Sequence, residues 1–123
     1  MKRGLILFAH GARDPRWAEP FEAIATAVRS RAPELDVRLA FLELMAPDLP
    51  TAADAMVAAG LTHIDILPLF LGTGGHLRRD LPPLVDDIQA RHASLRIKLH
   101  AAAGEAPALI AAMADHAVAL TQT

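Results

Sequence analysis

Two histidines sit where a chain commonly does chemistry. His10 ends the apolar run Gly4-Leu5-Ile6-Leu7-Phe8-Ala9 and leads into Gly11-Ala12-Arg13-Asp14. His76 follows Gly72-Thr73-Gly74-Gly75, behind a second apolar run from Ile64 to Leu71, and leads into Leu77-Arg78-Arg79. Glu43 lies in Phe41-Leu42-Glu43-Leu44. A carboxylate among apolar neighbours is costly unless it is paired or coordinated. Two imidazoles and one carboxylate suit a borderline divalent cation such as Co, Ni, Fe or Zn, and three protein ligands leave positions open for another molecule. Each residue also has a plainer reading. A histidine at a strand end can cap backbone groups, and a loop glutamate can simply be solvated. What separates the readings is whether the three meet.

Arginines surround these positions: Arg13 and Arg16 after His10, Arg78 and Arg79 after His76. They form either an ordinary solvated rim or a device for capturing a carboxylate-rich ligand, for which guanidinium geometry is well matched. The Gly72 to Gly75 run lacks GxGxxG spacing and a following GK[ST], so it is no nucleotide fingerprint. Gly74 and Gly75 read instead as a flexible wall of low bulk. His63, His92 and His116 fall at a strand start and on or near helices and read as structural, while His100, ending a strand, is a reserve candidate. Ser30 and Ser94 sit at element ends with no nucleophile-elbow context. A phosphohistidine phosphatase would need arginine before His10, and Ala9 stands there.

The composition narrows the classes further. The chain has 123 residues, 53% hydrophobic and 21% charged, which suits one folded domain over residues 1–123. A net charge of −2 offers no global basic field for nucleic acid or an anionic membrane, and 4% aromatics offer few stacking platforms. With no cysteine, disulfides and thiolate metal sites are excluded. No apolar stretch approaches the roughly 18 residues of a membrane span. The apolar run after Met1-Lys2-Arg3 stops at His10 without a cleavage site, so it reads as a first strand and the protein as cytoplasmic.

The elements that must position these residues alternate between two periods. Gly4 to Ala9 and Ile64 to Leu71 are nearly continuous apolar runs, as in strands covered on both faces. Val37, Leu39, Phe41 and Leu95, Ile97, Leu99 alternate, as in edge strands. Between and after them lie four helical patterns. The first carries Phe21, Ile24, Ala25 and Val28, with Pro20 expected to delay or kink it. The second runs from a cap at Asp48 to a stop at Gly60. The third carries Leu81, Leu84, Val85 and Ile88 behind Asp80 and Pro82-Pro83. The fourth carries Leu109, Ile110, Met113, Ala117 and Leu120 behind Pro107. Alternating β and α elements imply right-handed crossovers, hence an α/β fold with a four-stranded parallel sheet in the order 2-1-3-4 and helices on both faces. The winding reverses between strands one and three, and ligands bind outside the carboxyl ends of strands at such a switch point. The loops there carry His10 and His76.

His10-Gly11-Ala12-Arg13-Asp14-Pro15 after the first strand, with Leu69-Phe70-Leu71-Gly72-Thr73-Gly74-Gly75-His76 and Asp80-Leu81-Pro82 after the third, resembles the small CbiX-type sirohydrochlorin chelatases. The order of elements is similar over essentially the whole chain. The resemblance implies a chelatase-like fold, akin to half of a flavodoxin-like arrangement. It also implies a class II activity: ATP-independent insertion of Co, Fe or Ni into sirohydrochlorin, in sirohaem or cobalamin synthesis. By position, His10 and His76 match the family's two metal-site histidines and Glu43 its acidic residue after strand two. At Glu105 the family more often has histidine or aspartate. The expected partners are a tetrapyrrole, a divalent metal and a second copy of the chain, with no cofactor beyond the substrate metal. The second copy would supply the wall that a second domain supplies in double-length relatives. Leu44, Met45 and Leu77, which have no evident place in the core pattern, are the expected contact patch. A metal- or tetrapyrrole-binding carrier without turnover is the alternative.

Overall fold

The computed structural model describes residues 2–122, with the backbone but not the side chain of His76. Its strands are β1 (Arg3–Ala9), β2 (Asp36–Phe41), β3 (His63–Pro68) and β4 (Arg96–Leu99). They form one sheet in the order β2-β1-β3-β4, parallel at every pairing. The helices are α1 (Glu19–Arg31), α2 (Leu49–Ala58), α3 (Gly75–Arg91) and α4 (Pro107–Ala119), with 3-10 turns at Pro15–Ala18 and Ala103–Glu105. The expected order therefore holds. The third strand is shorter than its apolar run, because Leu69 to Leu71 already belong to the following connection.

Register decides which side chains share a face. Ile6 lies between Arg38 and Ile66, and Phe8 between Ala40 and Pro68. This face packs under α2 and α3, where Ile6, Phe8, Ile66, Met56 and Ile88 are essentially inaccessible to water. Fully burying an aliphatic or aromatic side chain of this size stabilises a fold by about 1.5–3 kcal/mol. The opposite face carries Leu5, Leu7, Leu39, Leu67 and Leu69 beneath α1, whose single buried residue is Ala25.

Local chemistry sets the helix starts. The Asp48 carboxylate accepts a hydrogen bond of 2.9 Å from the Thr51 backbone N–H, as expected of the N-cap of α2, and it titrates below the usual carboxylate range because of that cap. Asp14 likewise caps the first 3-10 turn, and its Arg16 partner holds its carboxyl low. Two expectations need correction. Pro20 neither delays nor kinks α1, because it falls in the first turn, where a missing N–H costs nothing. Asp80 does not begin α3, which starts at Gly75 and runs through Pro82 and Pro83. His76, Arg78 and Arg79 therefore stand on the first turns of a helix rather than on a loop. The apolar stripe of α4 is not buried: no residue of that helix is.

Candidate functional site at the carboxyl edge of the sheet

Strand β1 delivers His10 to the carboxyl edge of the sheet, and Gly11 makes the turn that follows. Gly11 has φ of +97°, and a Cβ there would lie 1.8 Å from the Glu43 carbonyl oxygen. Only glycine fits that crossing. The backbones of the two loops are joined there, since the Glu43 N–H donates to the His10 carbonyl at 3.1 Å and the Leu42 N–H to the Ala9 carbonyl at 2.9 Å. This close contact brings the side chains together: His10 Nε2 lies 3.2 Å from Glu43 Oε1. Both stay accessible, at 50% and 56% exposure. On its other side the His10 ring meets the edge of Phe70, with centroids 6.3 Å apart, and Phe70 in turn rests edge-on against Phe8 in the core. The imidazole is thus oriented by a carboxylate and backed by an aromatic wall, while remaining open to solvent.

The third candidate enters from the next strand. Helix α3 begins at Gly75, seven residues beyond the end of β3, and carries His76 as its second residue. The His76 side chain lies outside the described residues. Among the described residues no three histidine, aspartate or glutamate side chains gather as a metal group. His10 and Glu43 are therefore the pair that the structure brings together.

The arginines divide. Arg16 is held by Asp14 at 2.9 Å. Arg78 reaches Glu105 at 3.5 Å, and Arg79 folds back to donate to the Gly75 carbonyl at 3.2 Å. Arg13 is exposed. Gly72 and Gly74 face open space, consistent with a wall of low bulk. Glu105 has a definite task. One carboxylate oxygen accepts from the Ala102 N–H at 3.2 Å, while the other meets Arg78. It therefore ties the turn before α4 to the start of α3. The sequence offered no signal for this link, because the two partners are far apart along the chain.

Three of the remaining histidines, His63, His92 and His100, have side-chain partners of their own. His63 Nδ1 lies 2.9 Å from Thr62 Oγ1, and His92 Nε2 lies 2.7 Å from Asp54 Oδ1. That contact with His92, helped by Arg91, lowers the Asp54 carboxyl from its ordinary value. The reserve candidate His100 pairs with Asp65 at 2.7 Å, away from His10 and Glu43. Of the expected contact patch, Leu44 is 58% exposed, whereas Met45 packs against Ala9 and Phe41, and Leu77 against the main core. Of the three, only Leu44 is exposed. Among the described residues no helix is long and apolar enough to cross a membrane.

Known proteins are similar to this chain in sequence and fold. A sirohydrochlorin ferrochelatase of Bacillus subtilis is 30% identical over 97 residues, 79% of this chain and 37% of that protein. A sirohydrochlorin cobaltochelatase of Methanothermobacter thermautotrophicus is 32% identical over 84 residues, 68% of this chain and 58% of that protein. The chain thus matches between about a third and three fifths of the length of these relatives. The crystal structure of a CbiX protein from Marinobacter aquaeolei VT8 superposes with a TM-score of 0.86 at 32% identity, covering 98% of each chain. The CbiX family model matches residues 4–119, which takes in every strand and helix described above except the first residue of β1, and the chain is a member of the CbiX family.

Proposed function

We propose that this chain inserts a divalent metal (cobalt, iron or nickel) into sirohydrochlorin without ATP. The observation that carries this reading is the accessible His10–Glu43 pair, 3.2 Å apart at the carboxyl edge beside the helix that bears His76. The relatives named sirohydrochlorin ferrochelatase and cobaltochelatase support it.

Metallation delivers a cation and removes two pyrrole protons. A neutral imidazole near pH 7 is able to ligate a metal or accept a proton, and a carboxylate beside it is able to do either as well. In this reading His10, Glu43 and His76 hold the incoming metal. As macrocycle nitrogens replace them stepwise, the freed imidazoles take up the pyrrole protons. Holding the His10 ring between Glu43 and Phe70 lowers the reorganisation that this exchange requires. Arg13, Arg78 and Arg79 bind the carboxylates of the macrocycle, and Gly74 and Gly75 leave room for its flat face. Because Arg78 and Arg79 already have partners, substrate carboxylates must compete with Glu105 and with the Gly75 carbonyl. Two copies work together, since a macrocycle is wide compared with the edge of one four-stranded sheet.

The test is incubation of purified protein with sirohydrochlorin and each of Co, Fe and Ni, followed by absorbance. Metallation faster than the uncatalysed background, lost in the His10→Ala/His76→Ala variant, is the expected result. Binding of metal or macrocycle without acceleration would assign the chain to a carrier role instead.

A further inference from the structure

Among the described residues, the exposed large apolar side chains fall into two groups. Ile110, Met113, Val118 and Leu120 belong to α4 or its end, and Ile24 to α1. Leu44 and Leu71, 58% and 66% exposed, stand outside any helix. Leu44 directly follows Glu43, and Leu71 directly follows Phe70. Glu43 and Phe70 are the side chains described above as meeting the His10 ring. An exposed leucine thus comes next in the chain after each of these two neighbours of His10, at the carboxyl edge of the sheet.

Both leucines are fixed through their backbones. Leu44 has φ of +65°, and across it the Met45 N–H donates to the Glu43 carbonyl at 2.8 Å. A three-residue turn with positive φ at its centre is rare and strained. Glycine adopts that conformation at no steric cost, whereas leucine does not. Burial against the chain's own core would offset the strain, but Leu44 is mostly in water. The same turn holds Glu43, whose N–H already donates to the His10 carbonyl. Leu71 is held from the far side. The Gly104 N–H donates to the Phe70 carbonyl at 2.8 Å, and a Cβ on Gly104 would lie 1.8 Å from the Leu71 carbonyl oxygen. The Leu71 side chain remains exposed, at the border of an open apolar groove of about 720 Å3 between α1, the sheet and α4.

We propose that Leu44 and Leu71 are the apolar contacts for the flat face of the macrocycle beside the His10–Glu43 pair. The inference rests on the metal-insertion reading and adds a part that reading lacks. The arginines answer the carboxylates of the ligand, and His10 and Glu43 answer its metal. Neither recognises the ring system itself, which presents apolar faces. Covering those faces takes apolar side chains that are exposed before the ligand arrives and already in place. Leu44 and Leu71 meet both conditions. Fixed backbones reduce the ordering cost of binding. Burial against the ring then gives the hydrophobic stabilisation that exposure in the free chain withholds. Unfavourable backbone conformations recur at ligand clamps for this reason. Leu44 is thereby assigned to the substrate rather than to a contact patch between two copies.

Titration of the full chain with metal-free sirohydrochlorin, followed by absorbance, tests this. Leu44→Asn/Leu71→Asn removes both apolar contacts, and asparagine tolerates a positive φ, so the turn is kept. The Kd of this variant is expected to rise about 20-fold, the scale of two partly covered leucines. The rise should persist in 0.5 M salt, where contacts made by exposed arginines are screened. Binding of cobalt alone should match wild type, and Leu44→Met/Leu71→Met should bind the macrocycle as wild type does. Unchanged macrocycle binding by the Asn double variant overturns the inference alone, as does a rise in Kd that vanishes in salt. An equal loss of cobalt binding also overturns it, because the leucines would then act through Glu43. So does failure of the Met double variant to bind. A wild-type chain that binds no sirohydrochlorin overturns this inference and the metal-insertion reading together.

Discussion

The two faces of the sheet use similar residues to opposite effect. Beneath α2 and α3, Ile6, Phe8, Ile64 and Ile66 are closed off by Leu49, Met56 and Ile88. Beneath α1, Leu5, Leu67 and Leu69 remain partly open, and Ile24 of the covering helix is 41% exposed. Both faces are apolar in sequence; what differs is how many helices lie on them. The closed face stabilises the fold, and the open face leaves apolar area accessible to solvent. The candidate site lies at the edge where the two meet. Phe70 belongs to the closed core, contacts the His10 ring and, with its neighbour Leu71, also lines the open groove.

Ile66 and Leu67 are adjacent on β3 and point to opposite faces, so they break this comparison most directly. Ile66→Ala is expected to cost about 3–4 kcal/mol, because the buried site cannot collapse around the lost methyl groups. Leu67→Ala is expected to cost less, about 1–2 kcal/mol in dilute solution, because the side chain is only partly buried there. Urea denaturation of both variants checks the difference, and equal losses would mean that the second face is as closed as the first.

The edge answers to a different measurement. His10→Ala is expected to slow metal insertion by about 100-fold, within the usual range for a lost acid–base or ligand group. Its unfolding free energy should change by less than about 0.5 kcal/mol, since an exposed side chain supports little packing. A large stability loss with activity retained would make His10 a structural cap.

A smaller effect is expected at the arginines. Arg78→Ala/Arg79→Ala should raise KM for sirohydrochlorin about 5-fold and leave kcat closer to wild type, because charge contacts formed before the reaction bind ground and transition states alike. Steady-state kinetics in 0.5 M salt should show most of that difference gone, as these side chains are exposed. An unchanged KM at low salt would return them to an ordinary rim.

The smallest effect concerns Asp36, at the outer edge of β2. Its hydrogen bonds to Arg38, of 2.8 and 3.0 Å, hold its carboxyl below the ordinary value, so the unfolded chain takes up a proton there more readily. The resulting stability is fully present above about pH 5 and is lost as pH falls through the ordinary carboxylate range near 4 and below. Asp36→Asn should flatten that acid limb, as read by thermal unfolding between pH 3 and 6, by lowering the plateau above pH 5 while leaving stability at pH 3 nearly unchanged.

Much of this was legible in the sequence, for a local reason. Strand and helix periods follow from side-chain patterning, and the continuous runs of β1 and β3 against the alternating β2 and β4 are enough to order the sheet. The Asp48 cap and the Gly60 stop are likewise properties of neighbouring residues. His10 and Glu43 were nameable as candidates because their chemistry conflicts with their apolar surroundings. Their approach to 3.2 Å was not, since it depends on Gly11 crossing the Glu43 backbone between two strands. The start of α3 was misplaced because Pro82-Pro83 reads locally as a helix beginning, whereas packing of Leu77 and Leu81 on the core carries the helix back to Gly75. The apolar stripe of α4 is legible as a helical pattern, but its exposure is not. Periodicity shows that a face must be covered; which surface covers it depends on where the chain can reach, and the turn held by Gly104 and Glu105 decides that only in three dimensions.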